Sequence, residues 1–361
     1  MNSSKLEAYL GFSQIVGIGP VTFTQLIAHF GSVEAAYAAT EVKLENILRS
    51  NILRDFIEFR NNFNPTKLLE KYYQEGITIL AREDPRFPQN LREISDAPIC
   101  LYVKGDLKNF DFQEEQYIAV VGTRRPSPYG EEVARKFATE LALQKIVIVS
   151  GLALGIDAIA HTATLDVGGK TIAFMGCGVN LIYPRTNQRL YQRIIENGGL
   201  VISEFPPDMQ TRPGMFISRN RLISGLSRGT LVVEGLEDSG SLVTARYALE
   251  QGREVFAPPA PINSELSQAP NLLLKQGAKL VTRVSDILEE FKPVANTDVS
   301  SLVHLSQEER SIVKLLKHQA QTADELAISL KTTIYEVLSV LSSLELDGIV
   351  VKTREGKYAI F

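Results

Sequence analysis

The residues equipped to do chemistry in this 361-residue chain are four glycine-rich loops and a run of arginines. The loops read VGTRRPSPYG (121–130), VSGLALGID (149–157), MGCGVNLIYPRTN (175–187) and VEGLEDSGSLVTA (233–245). Glycine at 122, 151, 155, 176, 178 and 240 lets a ligand approach the main chain, and amides at a following helix N-terminus favour an anion. Between 185 and 230 stand seven arginines, no lysine and three acids, a local net of +4 in a chain of net −4. Arg124 and Arg125 add two more on the first loop. Guanidinium forks match phosphate oxygens and stack on bases. Several such forks beside several anion-favouring loops suit an extended chain of phosphates better than one mononucleotide.

Other chemistries fail on spacing. The first loop runs Gly122-Thr123-Arg124-Arg125 rather than GxGxxG, which argues against a dinucleotide cofactor. Gly168-Gly169-Lys170-Thr171 mimics the end of a Walker loop, but Thr164 stands where its first glycine belongs. Lys170 therefore reads as a solvated lysine at a strand edge. Ser150 lacks the glycine two residues earlier that a nucleophile elbow needs. Asp157 and His161, four apart on one helix, could share a metal; an Asp favoured by the helix dipole beside an unrelated His explains them better. No carboxylate pair forms an acid–base couple. No catalytic residue, metal or cofactor is expected.

The elements that carry these loops follow from periodicity. From 66 to 292, short β-branched runs such as YIAVVG (117–122), KIVIVS (145–150) and GTLVVE (229–234) alternate with helical stretches. Strands apolar on both faces, each followed by a helix, imply an α/β fold with a Rossmann-like parallel sheet, extended by the segment 77–107. Ligands of such sheets bind outside the carboxyl ends of the strands, where the four loops lie. Residues 1–65 read as an all-α domain with a helix-hairpin-helix turn at Gly17-Ile18-Gly19-Pro20, whose amides could hold a phosphate. The polar stretch KPVANTDVSS (292–301) supplies a linker, 293–301. Residues 302–361 read as three helices and a β-hairpin, a winged helix, with Thr322 and Glu325 forming a capping box. Its seven basic and eight acidic residues make a net of −1, unlike a groove-reading wing.

Apolar residues at 44% and charged residues at 22% are those of a globular protein. Cys100 and Cys177 are too few for a disulfide framework. The chain shows neither a basic-then-apolar leader nor an apolar run near the ~18 residues that span a bilayer, so a cytoplasmic location without membrane anchor is expected.

Six stretches, VGTRRPSPYG, VSGLALGIDAIAH, GKTIAFMGCGVNLIYPRTN, SEFPPDMQTRPGMF, SRNRLISGLS and DSGSLVTARYALEQGREVFA, occur in order between 117 and 257. Together they resemble the DNA-processing DprA (Smf) family, whose longer members also carry an N-terminal SAM-like helical domain and a C-terminal winged helix. The resemblance implies a protein that binds and protects single-stranded DNA, loads the recombinase RecA onto it during natural transformation, and forms a homodimer through the Rossmann-like domain. It implies phosphate contacts at Arg124, Ser150, Gly151, Arg185, Arg219, Asn220 and Arg221. The loop residues Gly122, Thr123, Asn187, Ser239 and Gly240 complete the expected interface.

The chain departs from the family pattern in places. Leu154 stands where Arg is usual, Ile217 replaces a Pro, PPAPI (258–262) replaces a PGxI turn, and Ala269-Pro270-Asn271 replaces Gly-Cys-Asn or Gly-Thr-Asn. Two other readings compete. A nucleotide N-glycosidic hydrolase of the lysine-decarboxylase-like group needs a PGGxGTxxE glutamate, but Tyr247 follows Thr244 at that spacing. A small-nucleotide sensor signalling through the winged helix is the third.

Overall fold

The computed structural model describes residues 3–291, 306–316, 321–330, 332–346, 350–352 and 356–360. The expected linker 293–301 lies outside them. The chain divides into two compact units, Met1–Leu288 and Glu289–Phe361.

The first unit opens with α1 (Ser3–Ser13), α2 (Pro20–Phe30), α3 (Val33–Ala38), α4 (Glu41–Leu44), α5 (Ser50–Asn62) and α6 (Pro65–Gln74). Pro20 at the first position of α2 and left-handed Gly31 after its last set that helix's ends. Ser32 caps α3 by accepting from the Ala35 amide. Gly17, at φ +104°, makes the α1–α2 turn in a conformation only glycine adopts freely.

The sheet elements follow: β1 (Ile77–Ala81), α7 (Gln89–Arg92), β2 (Cys100–Lys104), β3 (Tyr117–Val121), α8 (Pro128–Leu143), β4 (Val147–Ser150), α9 (Ile156–Asp166), β5 (Thr171–Phe174), α10 (Gln188–Glu196), β6 (Leu200–Ser203), α11 (Met215–Leu226), β7 (Gly229–Val232), α12 (Gly240–Glu250), β8 (Glu254–Ala257), α13 (Gln268–Lys275), β9 (Lys279–Leu280) and α14 (Val284–Leu288). Nine strands order as β1-β2-β6-β5-β4-β3-β7-β8-β9. Seven form a parallel core, and β2 pairs antiparallel with both β1 and β6, so β2 alone runs against the other eight. The expected extension is thus an antiparallel edge added to the parallel core.

Side chains alternate across the sheet, so neighbours in sequence enter different cores. Ala173 and Val201 pack with Phe12, Phe23, Leu26 and Phe56 of the helical region. Ile172, Phe174, Leu200 and Ile202 face the opposite core with Leu222 and Leu226 of α11. Residues 1–65 therefore share a core with the sheet, and the buried Tyr102 hydroxyl bonds Ser13 Oγ and Gln14 Nε2 of the helical region at 2.6 and 2.9 Å. Cys100 and Cys177 are free and buried.

The second unit holds α15 (Gln307–Leu316), α16 (Ala323–Leu330), α17 (Ile334–Leu346) and the hairpin of β10 (Val350–Lys352) with β11 (Tyr358–Ile360). Ile312, Leu326, Leu341 and Tyr358 fill its core. The expected capping box is formed: the Thr322 amide donates to Glu325 at 2.8 Å and the Glu325 amide to Thr322 Oγ1 at 3.2 Å.

Candidate nucleic-acid interface

Strand order reverses at β3. The chain moves outward to one side through β4, β5 and β6, then returns through α11 to β7 on the other side of β3. Loops leaving such neighbouring strands diverge and open a crevice. A cavity of about 330 Å³ occupies this position, walled by Gly122, Thr123 and Arg124 after β3, Asp157 after β4, Arg219 and Asn220 on α11, and Ser239 and Gly240 after β7.

Glycine makes the close packing of these loops possible. A Cβ on Gly122 would lie 2.7 Å from Ile156, and one on Gly155 would lie 2.4 Å from the Thr123 carbonyl. The main chain then locks: the Thr123 amide donates to Glu234 O at 2.8 Å, and the Ile156 amide to Thr123 O at 3.2 Å. Beneath the first loop, buried Glu234 accepts from the Ser127 amide and hydroxyl at 2.9 and 2.6 Å. Thr123 Oγ1 accepts the Arg125 amide at 3.2 Å, which fixes the turn bearing Arg124 and Arg125. Both guanidiniums are on exposed residues, without a carboxylate ion pair among the described residues. Gly240 opens α12 with nothing within 4 Å of where a Cβ would be, so its N-terminus is accessible.

Arg185 is exposed on the third loop, in a single 3-10 turn, Arg185–Asn187. Asn187 ties that turn to the neighbouring loop by donating to Leu152 O at 3.0 Å and Ala153 O at 3.3 Å. These bonds fix the turn that bears Arg185 against the loop after β4.

A buried polar layer supports this rim. Arg219, 5% exposed, donates from Nη1 to Gly151 O at 2.8 Å and to Phe174 O, and so clasps the ends of β4 and β5. Gly151 must be glycine here, because a Cβ would fall 2.6 Å from the guanidinium. Burial lowers the Arg219 pKa to about 10, while Asp157 favours its charge. Asp157 in turn accepts from the Gly151 and Ala153 amides at 3.0 and 3.4 Å. Asn220 reaches across to Gly240 O at 3.2 Å.

Three expected contacts are withdrawn by the fold: buried Gly151 spends its amide on Asp157 and its carbonyl on Arg219, and the side chains of Ser150 and Arg221 find partners elsewhere. Ser150 is fully buried and donates to Val120 O at 2.7 Å, joining β4 to β3 instead of facing the cavity. Arg221, 3% exposed, turns away on α11: Nε meets Asp96 at 2.7 Å, and Nη1 and Nη2 fork onto Glu204 at 2.9 and 2.7 Å. Two residues along a helix rotate a side chain to another face, and that face meets carboxylates. Lys170 also differs from expectation. It pairs with Glu115, bonds Asn109 O and sits over the Phe110 ring, at the strands' amino edge.

Asp157 and His161 have separate partners. Thr171 Oγ1 has one proton and donates it to Ile148 O at 2.7 Å, so His161 Nδ1–H donates to Thr171 at 2.6 Å. Burial pushes the His161 imidazole down to about 3. Among the described residues no group of three or more His, Cys, Asp or Glu is placed to hold a metal. Sequence reasoning missed an aromatic pair, Tyr183 and Phe216, with ring centroids 5.0 Å apart. Phe216 lines the cavity and Tyr183 is 44% exposed. Tyr183 as the first residue of YPRTN and Phe216 two residues before SRNR were the available signal.

Residues 78–292 match the family model described as DNA recombination-mediator protein A, and residues 297–356 match the DprA winged helix domain. The chain belongs to the DprA (Smf) family. It is 50% identical to Protein Smf of Escherichia coli over 207 residues, 57% of this chain and 54% of that one. It is 42% identical to the DNA processing protein DprA of Streptococcus pneumoniae over 258 residues, 69% of this chain and 90% of that one. The X-ray structure of the pneumococcal DprA aligns with a TM-score of 0.67 at 34% identity, covering 80% of this chain and 98% of that one. A DprA structure from Helicobacter pylori, described for its single-stranded DNA binding mode, aligns at 0.53 and 32% identity over 60% of this chain and 95% of that one. DprA members thus share this core. Among the described residues no helix is long and apolar enough to cross a membrane.

Proposed function

We propose that the chain binds single-stranded DNA along the carboxyl edge of its sheet, through Arg124 and Arg185, the loop residues Gly122, Thr123, Ser239 and Gly240, and a wall formed by Arg219 and Asn220. The observation that carries this reading is an exposed arginine, Arg124, in the wall of a cavity at the strand reversal, with a second exposed one, Arg185, on a turn that Asn187 ties to the loop after β4. Cations on separate loops meet successive phosphates, and Tyr183 with Phe216 offers π-faces to bases. In keeping with its family, the protein acts as a recombination mediator in transformation: it shields the strand, works as a homodimer through the sheet-bearing unit, and passes the strand to RecA. It does this without catalysis. Asp157 supports that view, since its buried carboxylate accepts from the Gly151 and Ala153 amides.

The test is titration of fluorescent oligo-dT, duplex and mononucleotide against the full chain. Oligo-dT should bind tightest, and Arg124→Glu should abolish it. A mononucleotide that competes as well as the oligomer would favour the sensor reading instead. Protection is read by nuclease digestion of the bound strand, and RecA loading by filament formation with and without the protein.

A further inference from the structure

A second cavity, about 190 Å³, lies between the α1–α2 hairpin turn and the loop that follows β6. Ile18, Pro20, Ile99, Met209 and Met215 line it, and so does exposed Arg212. We propose that it is a nucleobase subsite, with Arg212 holding the adjoining phosphate; this rests on the single-strand reading above.

Four observations carry it. The first is continuity: Met215 opens α11 and walls this cavity, while the next residue, Phe216, walls the first. Both cavities lie on the carboxyl edge. From β7 across β3, β4 and β5 to β6 is four strand spacings, roughly 19 Å, the reach of a short single strand. The second is charge. Arg212 has no carboxylate ion pair among the described residues, and the one acid in the lining, Glu204, has both oxygens taken by Arg221. A phosphate therefore meets a cation and no uncompensated anion. The third is size: at ~30 Å³ per water the space equals roughly six waters, enough for one pyrimidine and too small for a folded segment. The fourth is chemistry. Methionine sulfur from Met209 and Met215 favours a π-face, and contacts to a base face are tolerant of sequence.

The experiment compares oligo-dT of about 4 and about 16 nucleotides, the span of single-strand site sizes, with the full chain. A tetranucleotide held at Arg124 ends before the second cavity, whereas the long oligomer covers both. Arg212→Ala and Val16→Glu, the latter at an exposed residue that also lines the second cavity, should each weaken the long oligomer about tenfold and leave the short one unchanged. Replacing the outer bases of the long oligomer by abasic units should reproduce the Val16→Glu loss in the wild type. Arg124→Ala should weaken both lengths. If both distal variants bind the long oligomer as wild type does, or if abasic units change nothing, the subsite is overturned and the single-strand reading stands. If the short oligomer fails to bind, or ignores Arg124→Ala, the single-strand reading itself falls.

Discussion

The rim of the sheet's carboxyl edge and the layer beneath it use the same residue type for opposite ends. Arg124 and Arg185 stand exposed on βα loops, whereas Arg219 and Arg221 are 5% and 3% exposed on α11. An exposed guanidinium keeps its hydration until a phosphate displaces it, so its effect is felt in binding and in salt dependence. A buried one must find every partner inside the protein, and its effect is felt in stability. Arginine count alone therefore overstates the phosphate track. Of the seven arginines between 185 and 230, Arg221 is neutralised by Glu204 and Asp96 before any ligand arrives.

This division is broken most forcefully at Arg221. Arg221→Ala leaves Glu204 buried and unpaired and should reduce unfolding free energy by about 3 kcal/mol, the lower end of the 3–5 kcal/mol range for breaking a buried pair. The lower end applies because Asp96 is 35% exposed at its side chain. Urea denaturation measures the loss, and the folded fraction should keep its oligo-dT affinity. Weakened binding in a protein of unchanged stability would return Arg221 to the rim.

His161 sharpens the comparison through pH. Its folded pKa of about 3 lies below the ordinary 6.5, so the unfolded chain takes up a proton that the native one refuses. Stability is full above pH 6.5 and falls as pH drops toward 3. From pH 7 to pH 5 the loss should be about 2 kcal/mol. His161→Asn, which keeps a donor toward Thr171, should flatten that part of the stability–pH curve. An unaltered slope would assign it to other groups.

On the rim the expected effects are smaller and appear only in binding. Arg124→Ala and Arg185→Ala should each weaken oligo-dT by about tenfold, or 1.4 kcal/mol. Each should also flatten the slope of log K against log salt by about 0.7. Denaturation midpoints should stay at the wild-type value. Loss of stability without a change in salt slope would place either arginine in the supporting layer.

Lys170 gives the least effect. It pairs with Glu115 at the amino edge with 42% of its side chain exposed, so Lys170→Ala should remove less than about 1 kcal/mol of stability and no affinity. Weakened oligo-dT binding in that variant would extend the track to the wrong edge of the sheet.

Local pattern set much of this protein. Apolar runs alternating with helical stretches specify the parallel core because period and burial are properties of consecutive residues. Thr322 and Glu325 form their capping box for the same reason, as both partners lie within one turn. Glycines 122, 151 and 155 read in the sequence as places where a ligand approaches the main chain, whereas Ile156, the Arg219 guanidinium and the Thr123 carbonyl stand there instead. Long-range pairing was not legible. Nothing near Arg221 in sequence announces Asp96, 125 residues away, and nothing near Ser150 announces Val120 O. Nor does a hydrophobic pattern tell that Phe12 and Phe56 share a core with Ala173 and Val201. Sequence by itself determined the elements, their order and the chemical types offered at the strand ends. Only the tertiary structure decided which arginines keep their charge for a ligand, because burial and the partners that neutralise a charge come from segments far apart in the chain.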